Sequence, residues 1–498
     1  MNARTELSTL EASGLIQIAA LQPELEYLFR HALVQEAAYA TLLKQDRRSL
    51  HRAAAEAILA LHRDHQHELA GVIGMHFELA GDTARAAEYL VMAGEHALER
   101  FANKEATAFF TRAEELSDDA QADVRLRAAL GGAKAGWTHN QPGADIDRLE
   151  RAVAAAGATD QHLVAEAYFW TAFLRRQRGE APESSPALKA ALDRTAEIGA
   201  ALSDPYTAAL PRALIGAFDA FTGNIRQGAR EMQDALDLLV PPGDPVSTTG
   251  DPVARAMLSN FLVMAYARLG EFGAAERALA RAKTFAGSAD VISRLDVDIA
   301  RSAIDLERGD MVGASTRSLS CASRAEDLGA YACAVAATVM FGAASLALDR
   351  PGAAKEPLER GRELSLATNM APMRTLIHGY LGTARADLGD LPGGVAEWDA
   401  ALNNARAMRD RYGEAHTLWA RARAYGRQAS PDWSAALADV DHALEIFEAM
   451  DTKPSLARAL HDRAKALRSL RRAEEADAAE QRSSELGQQL GLADMPLA

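Results

Sequence analysis

Apolar residues recur along this chain at helical spacing almost from end to end. Tyr27, Phe29, Leu33, Val34, Ala37 and Ala38 lay an apolar stripe that predicts a helix starting near His31, and Tyr39, Leu42, Leu43, Leu50 and Ala54 continue it. Lys44, Arg47, Arg48 and Arg52 stand opposite. Before the stripe, residues 4–16 read as a short helix ending at Ser13-Gly14, followed by two short extended runs around a turn at Gln22-Pro23-Glu24.

Beyond residue 60 the pattern becomes periodic. Turn signals stand at Gly81-Asp82, Gly179-Glu180, Gly223-Asn224, Gly270-Glu271, Gly309-Asp310, Asp349-Arg350, Gly389-Asp390, Pro431-Asp432 and Arg471-Arg472, spaced 39 to 47 residues apart from Gly179 onward. Five positions after each turn start stand Ala86, Ser184, Gly228, Ala275, Ala314, Ala354, Gly394, Ala436 and Ala476. Twelve after stand Ala93, Ala191, Ala235, Ala282, Cys321, Gly361, Ala401, Ala443 and Ser483. Every one is small, and two helices approach closely only where side chains are small. The pattern predicts tetratricopeptide-like helical hairpins stacked into a superhelix, with helices or connections longer than the standard repeat of about 34 residues requires. Residues 121–157 read as one further, degenerate hairpin. The fold class is therefore all-α.

The run Pro241 to Pro252, with four prolines and two glycines, cannot be helical and divides residues 63–240 from residues 253–498. It reads as an insertion into a surface loop, the alternative being a hinge between the two repeat blocks.

Composition agrees with close-packed helices: 48% of residues are hydrophobic but only 6% aromatic. A net charge of −15 opposes nucleic acid as a partner, since phosphate binding needs a basic face. Two cysteines, Cys321 and Cys333, cannot build a disulfide framework, which points to a cytoplasmic protein and to small core residues. The uncharged stretch Leu328 to Leu348 is long enough to span a bilayer, but it is rich in alanine and keeps the repeat register, so a buried helix and no membrane contact are expected.

Candidate chemistry is sparse. The dipeptide Gly-Lys is absent, which rules out a phosphate-binding Gly-x-x-x-x-Gly-Lys-Ser/Thr loop, and no Gly-x-Ser-x-Gly elbow occurs. After His67 a zinc-protease motif would need a second histidine where Gly71 stands, and His62 and His65 read as solvated residues near a helix end. No catalytic residue, metal ligand or cofactor is assigned. Trp137, Trp170, Trp398, Trp419 and Trp433 lie at helical spacing and read as core.

The stretch Phe29-Arg-His-Ala-Leu-Val-Gln-Glu-Ala-Ala-Tyr39, followed by Arg47-Arg48-Ser-Leu-His51, resembles the junction between winged helix and helical repeats in bacterial STAND ATPases, closest to multidomain adenylate/guanylate cyclases. The resemblance is good for Tyr27 to His51 and generic beyond. It implies that residues 1–30 are a truncated winged-helix remnant and residues 31–62 junction helices. It also implies that Arg30, His31, Glu36, Tyr39, Arg48 and His51 join winged helix, ATPase and repeats. The same six residues equally suit an ordinary helix-packing network. The implied function is a non-catalytic regulatory or sensor segment of a signalling ATPase or nucleotide cyclase. It would bind a protein, a peptide or a small effector in the concave groove, with the ATPase or cyclase module upstream or in trans. A fragment of a LuxR-like transcription regulator is one alternative, against which the C-terminal stretch after Ala476 offers no helix-turn-helix pattern. A free-standing repeat scaffold is the other.

Overall fold

The computed structural model describes residues 3–20, 26–100, 102–118, 120–137, 142–157, 160–239, 252–285 and 291–492. Helix α1 (Ala3–Ala12) precedes β1 (Ile16–Ala20) and β2 (Glu26–Phe29), which pair antiparallel with Ile16 opposite Phe29 and Ile18 opposite Tyr27. Next come α2 (Ala32–Thr41), α3 (Lys44–Leu61), α4 (Gln66–Ala80), α5 (Thr83–Glu99), α6 (Asn103–Leu116), α7 (Ala122–Gly136) and α8 (Pro142–Ala155). Eight hairpins complete the described chain. They are α9 (Gln161–Gln177) with α10 (Pro186–Ala201), α11 (Pro205–Thr222) with α12 (Ile225–Leu239), α13 (Pro252–Arg268) with α14 (Phe272–Phe285), and α15 (Val291–Arg308) with α16 (Met311–Asp327). The last four are α17 (Tyr331–Ala347) with α18 (Pro351–Ala367), α19 (Arg374–Asp387) with α20 (Leu391–Met408), α21 (Arg411–Arg427) with α22 (Trp433–Ala449), and α23 (Lys453–Ser469) with α24 (Ala473–Leu490).

All nine turns expected from the sequence separate two helices. The Gly-Asp pairs show why. Gly309 and Gly389 adopt φ of 97° and 93°, which a side chain resists, and so end one helix. Asp310 and Asp390 then cap the next by accepting hydrogen bonds from the Gly313 and Gly393 backbones at 2.8 and 3.0 Å. Every small residue at the two repeating offsets is buried except Ser184. That exception follows from a longer connection: α10 starts only at Pro186, so Ser184 stays outside the helix and is exposed.

The close approach reaches backbone contact in two hairpins. A Cβ on Gly216 of α11 would lie 2.6 Å from the Gly228 carbonyl oxygen of α12, and one on Gly394 of α20 would lie 2.7 Å from the Gly382 oxygen of α19. Helix α6 was not expected from the turn pattern. It shifts the alternation by one element, so that α5 joins α7, α9 and the other odd-numbered helices up to α23 in one inner series, each packed on the next.

The uncharged stretch of residues 328–348 becomes α17, whose residues are mostly buried between its neighbours. Among the described residues no helix is long and apolar enough to cross a membrane. The Pro241–Pro252 loop, and with it the choice between insertion and hinge, lies outside the described residues apart from Pro252 at the start of α13.

At the N-terminal end the expected helix forms as α2 but stands apart from the repeats. Its apolar stripe does not pack on the first repeat: α2 has no buried residue, and Leu33 and the following Leu43 are 78% and 72% exposed. The array is capped one helix later, where Ala55 of α3 joins Ile73 and Phe77 of α4 and Ala86 of α5 in a small core. The periodicity was right for a helix but could not say which neighbour its stripe would meet.

Candidate functional site

The inner series curves until the chain meets itself. Helix α11 touches α21, and both α13 and α15 touch α23. Across this closure the Ala371 N–H donates to the Gln177 carbonyl at 2.9 Å, and Arg226 of α12 reaches Glu271 and, far along the chain, Asp451, each at 2.6 Å.

Inside the closure sits a buried polar cluster. The Arg268 guanidinium, from the last turn of α13, lies 3.9 Å from the Tyr412 ring centroid and donates to the Ala220 carbonyl at 2.8 Å. Tyr412 in turn donates to Glu307 Oε1 at 3.0 Å, and Arg458 of α23 donates to the Glu307 carbonyl at 2.7 Å and faces its carboxylate at 3.6 Å. Burial pushes the Glu307 carboxyl up, with Arg458 and Tyr412 opposing. His416, whose ring centroid lies 4.3 Å from that of Tyr412 with the planes tilted, has its pKa lowered to about 3 by burial and by the nearby Arg268 and Arg458. A buried charge pair of this kind is a weak source of net stability but a strong penalty when one partner is removed, so it fixes where α13 and α15 meet α21 and α23.

The inner helices line two cavities. The first, about 100 Å³, runs between α15, α17, α19 and α21 and includes Glu307, Met340, Tyr380, His416, Trp419 and Arg458 in its wall. The second, also about 100 Å³, is bounded by residues from α9, α11, α13, α15 and α17 and by Met370, Pro372 and Met373. Trp137, Phe173, Phe218, Phe261, Met257 and Met264 make it largely apolar. Met264 also packs with Ala303 and Met340 of the first cavity, so one thin apolar wall separates the two. Walls of this character, largely apolar with a few polar groups, suit an organic ligand or the side chains of a short stretch of peptide.

The tryptophans divide accordingly. Trp170 and Trp398 are fully buried, as core residues should be, whereas Trp137 and Trp419 line the cavities, which the sequence reading did not assign. Asn260, in the wall of the second cavity, was also missed. Its signal was a polar residue inside the apolar run Met257-Leu258-Ser259-Asn260-Phe261-Leu262-Val263-Met264.

The six junction residues are only partly brought together. The Tyr39 hydroxyl meets His51 Nε2 at 2.9 Å, and His51 Nδ1 meets His76 Nδ1 of α4 at 2.9 Å, a chain that ties α2 to α3 and α3 to α4. Burial, and secondarily His51, lowers the His76 pKa. Arg48 lies against the α4–α5 turn, where a Cβ on Gly81 would be 3.4 Å from its Nε. Arg30, His31 and Glu36 are exposed; Arg30 contributes its backbone N–H to the Leu15 carbonyl at 3.0 Å, extending the hairpin. Cys321 and Cys333 are both buried, with the Cys321 thiol pushed up to about 12, chiefly by burial.

No protein-family model matches the chain, and no curated protein matches it. Among solved structures, a Rap protein complexed with competence and sporulation factor superimposes with a TM-score of 0.51 at 13% identity, over 81% of this chain and 98% of that one. The fold is a tetratricopeptide-like helical-repeat superhelix. Weaker likenesses are the Cut9–Hcn1 hetero-tetramer of the APC/C, with a TM-score of 0.47 at 13% identity over 92% of this chain and 88% of that one, and a STAND protein with a tetratricopeptide repeat sensor from Pyrococcus horikoshii, with a TM-score of 0.40 at 11% identity over 91% and 74%.

Proposed function

We propose that this tetratricopeptide-like superhelix is a non-catalytic sensor that binds an extended peptide, a protein segment or a small effector on its inner surface. The observation that carries the reading is the pair of cavities set on either side of a thin wall along the inner helices, next to the polar cluster that closes the superhelix. An occupant spanning the inner helices would contact both sides of the closure and thereby bias how tightly it shuts. The resemblance at Tyr27 to His51 extends the proposal: the sensor serves a signalling ATPase or nucleotide cyclase, upstream or in trans, through the α2–α4 end, and the α1–hairpin unit is what remains of a winged helix.

The test pans a random peptide display library on the full chain and on Ala336→Trp, which fills the second cavity from α17. Peptides that bind the first and not the second, with both proteins melting cooperatively, are expected. Enrichment of no such peptide would refute the sensor reading. Incubation with ATP or GTP is expected to yield neither phosphate release nor cyclic nucleotide above buffer; turnover that tracks the protein through purification would refute the non-catalytic part.

A further inference from the structure

Asn260 of α13 is 5% exposed, and among the described residues neither its carboxamide nitrogen nor its oxygen has a hydrogen-bond partner. Buried amides without partners are uncommon because the desolvation penalty is then uncompensated. This one stands in the wall of the second cavity, among aromatic and methionine side chains that offer it nothing. The charged groups of that wall are already engaged. Arg176 donates to the Glu180 carbonyl at 3.2 Å and lies 4.9 Å from the Phe218 ring centroid, while Asp296 accepts from the Cys333 thiol at 3.2 Å.

Three kinds of ligand can be weighed against this wall. A hydrocarbon would suit the aromatic surface but leave the Asn260 amide unpaired. A charged ligand would find one arginine and one aspartate, whose charges cancel. A residue of an extended peptide turns its own N–H and C=O to the same side, which is the donor and acceptor pair a carboxamide complements. Both Asn260 polar atoms are covered, so such a ligand must displace side chains locally. Met257, Met264, Met370 and Met373 around the cavity are the unbranched, flexible kind that can move.

Resting on the inner-surface reading above, we propose that the second cavity takes an uncharged, extended peptide segment with bulky apolar side chains, and that the Asn260 carboxamide pairs with the main chain of one of its residues. Asn260 thus selects for peptide over other apolar matter, while the aromatic wall supplies affinity.

The experiment uses the full chain, two probes and two substitutions. The probes are the capped dipeptide N-acetyl-leucyl-phenylalanine methylamide and the hydrocarbon butylbenzene, followed by calorimetry. In Asn260→Leu the capped dipeptide is expected to bind about ten-fold more weakly than in wild type, and butylbenzene equally well. Without probe, Asn260→Leu is expected to melt at or above the wild-type temperature, because an apolar side chain replaces an unpaired amide. Asn260→Ala, which adds no bulk, carries the same binding expectation should the leucine not be accommodated. Equal binding of the dipeptide to wild type and either variant, or no binding of it to wild type, would each overturn the proposal. Display-selected peptides that Ala336→Trp loses but Asn260→Leu retains would overturn the role of Asn260 alone and leave the inner-surface reading standing.

Discussion

The hydroxyl of Tyr412 donates to a carboxylate oxygen of Glu307 at 3.0 Å, 105 positions earlier in the chain. Helices α21 and α15 are thus tied together at the point where α23 also arrives. A hydrogen bond to a buried carboxylate contributes about 1.5 to 3 kcal/mol, so Tyr412→Phe should lower the unfolding free energy by that amount in urea titration. An unchanged midpoint would show that the carboxylate is satisfied without the tyrosine.

Acid should weaken the fold through His416. The unfolded chain takes up a proton near the ordinary value of 6.5, whereas the native imidazole does so only near 3. Between these values the unfolded state binds more protons, so this contribution to stability declines as pH falls from 6.5 and amounts to a loss of about 2 kcal/mol at pH 5. Asp219 acts in the opposite sense. Burial, Glu231 and Glu183 raise its pKa from 3.8 to about 6, so the native state protonates first and gains stability as pH falls through that window. Chemical denaturation between pH 7 and 5 should therefore show a shallower decline for His416→Gln than for wild type, and a steeper one for Asp219→Asn.

Glycine substitutions should separate contact from propensity. Alanine normally favours a helix interior over glycine by about 1 kcal/mol. At Gly216 the added methyl would meet the Gly228 oxygen at 2.6 Å, whereas at Gly352 nothing lies within 4 Å. Gly216→Ala is expected to destabilise by about 1 to 3 kcal/mol and Gly352→Ala to be neutral or stabilising. Differential scanning calorimetry giving the same sign for both would contradict the packing of α11 on α12.

Hydrogen exchange should be fast through α1, the hairpin and α2, and slow from α4 onward. Helix α2 has no buried residue to protect it, while α4 buries Ile73 and Phe77 completely. Deleting residues 1–25 should leave the thermal transition unchanged; a drop of several degrees would mean that the hairpin supports the repeats.

The repeats were legible because turn and packing chemistry are local. A left-handed glycine followed by a capping aspartate, with small residues five and twelve positions later, marks one hairpin. A third small position, seven residues before each turn, completes the code: Gly74, Ala172, Gly216, Ser302, Gly342, Gly382, Ala424 and Ala464 occupy it, and Val263 is the exception. The closure was not legible. Nothing near Arg268 in the sequence announces Tyr412, and the pairing depends on small rotations accumulated from one inner helix to the next. The cavity residues were hidden for a related reason. Trp137 and Trp419 carry the same helical spacing as core tryptophans, and only the curvature of the array decides which of them face enclosed space. For α2 the apolar stripe predicted its helix but not a partner for its face.

The bridge from Arg226 to both Glu271 and Asp451 has a mechanical consequence. An open superhelix of stacked hairpins is a soft spring, because a pull on its ends is absorbed by slight rotations between neighbours. A superhelix fastened to itself is a clasped ring. Pulled between α12 and α23, it should resist stiffly until the clasp at Arg226, Arg268 and Tyr412 parts, and only then lengthen compliantly. The same clasp removes the independence of the repeats, since loss of α23 and α24 would be felt at α12 and α13, far away along the chain but adjacent in the ring.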